Sequence, residues 1–164
     1  MIKLSGIVMV IFSCIFISAS IIKKQTVALN SLRSLICSLK EMRDCITVYK
    51  MPLPEIIISL KEHKDDTFFK SVSQFMKADT HLATAWNSAL EKESSLTHDA
   101  KKVLSALGMS LGSMDTEQEK ENIDFCLASL LTISDEETVK TQKNTKMLRS
   151  FGLLSGILIV ILFI

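Results

Sequence analysis

The chain is apolar at both ends and periodic in between. From Leu4 to Ile22 no charge interrupts "LSGIVMVIFSCIFISASII", with Lys3 before it and Lys23-Lys24 behind it. About 19 residues at about 1.5 Å each reach about 29 Å, the depth of a bilayer core. The terminal run "FGLLSGILIVILFI", Phe151 to Ile164, reaches about 21 Å alone. Counted from Met147, with Arg149 snorkelling to the headgroups, it reaches about 27 Å. The pattern predicts transmembrane helices over 4–22 and 150–164, flanking a helical domain over 23–149.

Inside that domain the apolar positions follow a helical period. Leu29, Leu32, Leu35, Ile36, Leu39, Met42 and Ile46 are spaced by threes and fours and form one stripe. No breaker separates this helix from the first apolar segment, so the two can be continuous. The break falls at "MPLPE", where Pro52 and Pro54 cannot continue a helix, while Pro54 suits the first turn of the next. A short helix through Leu60 follows. Asp66 or Thr67 starts a third in "FFKSVSQFM". "HLATAWNSALEK" gives a fourth, with Leu82, Ala85, Trp86 and Ala89 on one side and Trp86 as core anchor.

The stretch "VLSALGMSLGSMDTEQ" predicts a helix, a tight turn and a helix. Leu104, Leu107 and Leu111 share a face, which places Gly108 within the helix, where its bare backbone allows close packing. Gly112 is placed to end that helix in the left-handed conformation. Asp115 then caps the next helix, with Gln118 at the capping-box position. The last helix carries Ile123, Leu127, Leu130, Leu131 and Ile133. It either runs unbroken into the terminal apolar segment or breaks at Ser134, where Glu137 would complete a second cap. No segment reads as a strand. The expected fold is all-α, a membrane-anchored bundle of about six helices.

Length and charge sharpen this picture. The 164 residues suit one domain of ordinary size, and two Pro and five Gly leave few breaks. At a net charge of +1, no Lys/Arg block resembles a nucleic-acid footprint, so no nucleic-acid partner is expected. Lys23, Lys24, Arg33, Lys140, Lys143, Lys146 and Arg149 all lie between the two apolar segments, near their inner ends. The positive-inside rule then keeps the central domain in the cytoplasm. Cys37, Cys45 and Cys126 have no framework spacing, as expected of reduced thiols. A rival reading takes "MIK", the apolar core and "SAS" as a signal peptide cleaved near Ser20, or "IFSC" as a lipoprotein site at Cys14. The bundle would then be an exported binding protein.

Candidate chemistry is sparse. His63, His81 and His98 are scattered, and none sits at metal-ligand spacing with a second His or Cys. There is no phosphate-binding Gly loop and no nucleophile elbow. The acidic run "DTEQEKENID" suits the dipole-favoured start of a helix. No catalytic, metal or cofactor-binding residue is assigned, and no enzyme is expected. Gly152 and Gly156, four apart beside Ser155, form a small-residue patch of the kind that lets transmembrane helices approach, and Gly6, Ser13 and Ser20 form a second.

"MPLPE" after a long first helix, the paired Leu107-Gly108 and Leu111-Gly112, Asp115 with Gln118, and "NTKMLRSFGLLSGILIVILFI" at the end together resemble the stage III sporulation protein AB family. The resemblance covers nearly the whole chain and departs at Met114, where Ser is expected before the Asp. It implies membership of the complex joining mother cell and forespore in endospore formation. It also implies a soluble region similar to the helical domains of type II secretion F proteins, which are inner-membrane platforms. The implied partners are the membrane, a sister secretion-type ATPase and ring-forming channel proteins, with a homo-oligomer as a further arrangement.

Overall fold

A computed structural model describes residues 2–63, 67–76, 81–112 and 115–163, with side chains for 16, 19–61, 67–76, 81–112, 115–148, 150 and 154. Six α-helices follow in order: α1 Ile2–Thr47, α2 Leu53–His63, α3 Thr67–Met76, α4 Leu82–Lys92, α5 His98–Ser110 and α6 Thr116–Phe163. Among the described residues there is no strand. Asp66 and Met114 lie outside the described residues, as do the side chain of Cys14 and the surroundings of Gly152 and Gly156.

The backbone forms two compact units, Met1–Leu29 with Glu136–Ile164, and Asn30–Asp135. In the first, α1 continues through the basic pair without a break, and α6 runs on past Ser134 to Phe163. Ser134 is therefore a buried helix-interior residue instead of a cap. Among the described residues no helix is long and apolar enough to cross a membrane. Most side chains of the expected transmembrane segments, 4–22 and 150–164, fall outside the described ones.

The second unit holds the core. Leu32, Leu35, Ile36, Leu39, Met42 and Ile46 of α1 are all buried, as their spacing requires. Against them lie Ile56, Ile57 and Leu60 of α2, the aromatic residues of α3, and Ile123, Leu127 and Leu130 of α6. In sequence order α2 packs on α3, α3 on α4 and α4 on α5. Leu131 departs from the expected stripe and is exposed, while Cys126 takes a core position. The reason is register: Ile123, Cys126, Leu127, Leu130 and Ser134 stay on one side of a 3.6-residue helix, and Leu131 falls at the edge of that arc.

The turn from α1 into α2 uses more than proline. Lys50 adopts φ +49°, a left-handed conformation for a non-glycine residue. Pro52 accepts from the backbone N–H groups of Glu55 and Ile56 at 3.0 and 3.2 Å, which starts α2 with Pro54 in its first turn. On the surface, Arg43 of α1 donates to Asp124 of α6 at 3.0 Å and to its neighbour Asp44. Both side chains of the Arg43–Asp124 pair keep a third or more of their surface in solvent, so the pair contributes at most about 1 kcal/mol.

Candidate protein-interaction surface

The core of the bundle holds an aromatic cluster. Phe68, Phe69 and Trp86 meet edge to face, with ring centroids 4.8 to 5.9 Å apart. Trp86 is fully buried, and its indole N–H donates to the carbonyl of Leu104 at 2.8 Å, which fixes α4 against α5. Gly108, one turn beyond Leu104, is the residue over which the indole lies, and a side chain there would collide with the ring. Ser105 donates to Asn87 at 2.9 Å along the same seam. Lys92 Nζ stands 4.9 Å over the Phe75 ring.

At the far end of α5, Leu111 bonds back to Leu107 and Gly112 follows with φ +80°. The Gly112 N–H donates to Glu119 Oε1 at 2.7 Å, and Glu119 is largely buried. Asp115 accepts the first helical bond of α6 through its own carbonyl, from the Glu119 N–H at 2.9 Å. Gln118 lies exposed in the first turn. The acid that reaches back over the turn is thus Glu119, one residue past the capping-box position. Sequence spacing alone pointed to Gln118, because a capping box joins the cap to the third helical residue. Gly152 and Gly156 belong to the helical backbone of α6.

Between α5 and α6 runs an open groove of about 490 Å³ lined by Val103, Ala106, Leu107, Asn122, Phe125 and Cys126, with Lys102 and Ser110 at its ends. Phe125 is 74 % exposed and Met109 on α5 is 66 % exposed. An exposed aromatic beside an apolar groove suits contact with another protein's side chains. The signal for Phe125 was present in the sequence, since it is a large apolar residue that falls on the side of α6 away from the Ile123–Leu127–Leu130 stripe.

Among the described residues the titratable groups do not converge on one site. His81 and His98 are exposed and lie on separate elements. Among the described residues no group of three or more His, Cys, Asp and Glu could hold a metal ion. Cys37 is exposed, whereas burial pushes the Cys126 thiol up to about 12. Cys45 is also raised, first by burial and then by Glu41 and Asp44. Neither raised thiol is poised as a nucleophile at neutral pH.

The family model described as stage III sporulation protein AB matches residues 3–164. The stage III sporulation protein AB of Bacillus subtilis (strain 168) is 26 % identical over 169 residues, covering 99 % of each chain. A solved structure of stage III sporulation protein AB aligns with a TM-score of 0.60 at 23 % identity, covering 68 % of this chain and 94 % of its own; at that identity it speaks for the fold. Both relatives are named for sporulation, and neither for a reaction. With the match spanning almost every residue, the chain belongs to the stage III sporulation protein AB family, and its role lies in sporulation.

Proposed function

We propose that this chain is a non-enzymatic membrane platform of the channel complex between mother cell and forespore. Segments 4–22 and 150–164 act as its anchors, and the helical domain over 23–149 lies in the cytoplasm of the mother cell. There it recruits a sister secretion-type ATPase and ring-forming channel proteins. The observation that carries the reading is that both apolar ends are the far ends of uninterrupted helices. The outer parts of α1 and α6 fall in one compact unit, Met1–Leu29 with Glu136–Ile164, while the inner parts of the same two helices supply core faces to the bundle. Each apolar end is thereby continuous along the chain with a helix of the bundle.

The test is topological. In a variant whose own cysteines are replaced by Ser, Lys92→Cys places a thiol on the exposed end of α4. A membrane-impermeant maleimide should leave it unlabelled in intact cells and label it after permeabilisation. Labelling in intact cells would overturn the cytoplasmic platform.

A further inference from the structure

The net charge of +1 conceals a sharp division. All 18 Asp and Glu lie between Glu41 and Glu137, a stretch with 10 of the 19 Lys and Arg. The remaining nine basic residues lie outside it, with no acid among them. The chain is therefore −8 in its centre and +9 in its two ends. Lys23, Lys24, Lys143 and Lys146 are all exposed, and all belong to the compact unit formed by Met1–Leu29 and Glu136–Ile164. Within that unit the acids are Glu136 and Glu137, and Glu137 is taken by Lys140 at 3.1 Å. Lys23 stands six residues from the unit's limit at Leu29, and Lys143 seven from its limit at Glu136. At about 1.5 Å per residue each lies about 10 Å along its own helix from that limit.

We propose that these lysines form a collar that binds anionic lipid headgroups, a site resting on the membrane-anchored reading above. Juxtamembrane Lys and Arg attract anionic lipid by about fivefold per residue near the surface, through the negative potential of the leaflet. Four exposed lysines, within eight residues of the apolar runs and not neutralised by acids of their own unit, meet that description. The chemistry recognised is the phosphate of a glycerophospholipid such as phosphatidylglycerol, held by point-charge ammonium groups.

The experiment uses the full chain reconstituted in vesicles of phosphatidylcholine containing spin-labelled phosphatidylglycerol or spin-labelled phosphatidylcholine. At low salt the motionally restricted lipid should favour phosphatidylglycerol by at least about tenfold, falling severalfold in 0.5 M NaCl because screening shortens the field to a few ångströms. Lys23→Gln with Lys24→Gln, Lys143→Gln and Lys146→Gln should bring the ratio close to one while the protein stays inserted. Millimolar inorganic phosphate should not displace the labelled lipid; displacement would assign the collar to free phosphate and overturn a lipid site. Insertion without selectivity, or selectivity unchanged in the fourfold variant, would sink the collar and leave the anchors standing. Failure of the chain to insert at all would remove both.

Discussion

Gly108 and Trp86 are complementary in shape: a methyl group on the Gly108 Cα would fall 2.7 Å from both Cγ and Nε1 of the indole, and closer still to Cδ1. The ring cannot retreat, because its N–H is bonded to Leu104 and its faces and edges are held by Phe68 and Phe69. In an exposed helix Gly→Ala would stabilise by about 1 kcal/mol. Here overpacking opposes that gain with about 1–3 kcal/mol or more. Gly108→Ala should therefore lower the melting temperature of the detergent-solubilised chain. Adding Trp86→Phe, which frees space beside the new methyl, should make the pair less destabilised than the sum of the single variants. Strict additivity would show that the contact is not what sets the cost.

The turn between α5 and α6 separates two contributions. Gly112 holds φ +80°, and a Cβ there would meet Leu53 at an ordinary 3.6 Å, so the penalty is backbone strain and not a clash. Gly112→Val should cost about 1–2 kcal/mol, with Gly112→Ala somewhat less. Glu119 supplies the other contribution through its bond to the Gly112 N–H. Glu119→Ala should cost about 1.5–3 kcal/mol by leaving that donor without its charged partner, whereas Glu119→Gln keeps an acceptor and should retain about half. Thermal unfolding of the variants measures both.

Cys126 gives the bundle a signature at alkaline pH. Burial raises its folded-state pKa to about 12, while an unfolded thiol titrates near 8.5. Between these values the folded state keeps a proton that the unfolded state has lost, so the slope of stability with pH is negative. The contribution is fully present below about pH 8.5 and is lost as pH rises toward 12. Cys126→Ala should flatten that part of the stability profile relative to the parent chain, whatever Lys and Tyr contribute in common. A parallel measurement by mass spectrometry should find Cys37, which is exposed, alkylated well before Cys126.

Periodicity exposed most of this fold because a helix that buries one face must repeat apolar residues at threes and fours. The α1 stripe from Leu32 to Ile46 and the Leu104–Leu107 face are buried as that repeat demands. The positive φ of Gly112 was also legible, since glycine after a periodic run has few other uses. Lys50 was not, because a lysine in the left-handed region leaves no mark on residue type. Glu119 was missed for a similar reason: its reach to Gly112 depends on how the two helices approach, which spacing along one helix cannot reveal. Trp86 read as a core anchor, yet its pairing with Gly108 joins positions on different helices.

Phe125 offers a direct test of the α5–α6 groove. It is 74 % exposed, so its removal leaves no cavity in the core, and Phe125→Ser should change stability by no more than about 0.5 kcal/mol. An aromatic side chain beside a groove of Val103, Ala106 and Leu107 is nonetheless of the type that dominates binding energy when a partner covers it. If this face meets a partner protein, Phe125→Ser should lower spore formation while protein level and melting temperature stay at the parent values. Phe125→Tyr, which keeps the ring and tolerates the rim of an interface, should restore much of the loss. Reversing Lys102 at the groove's end, as Lys102→Glu, should act in the same direction if the partner's edge is acidic and have little effect if it is neutral. Spore counts, abundance by immunoblot and thermal unfolding together decide the matter. Normal sporulation with Phe125→Ser would show that the groove is uncovered solvent surface.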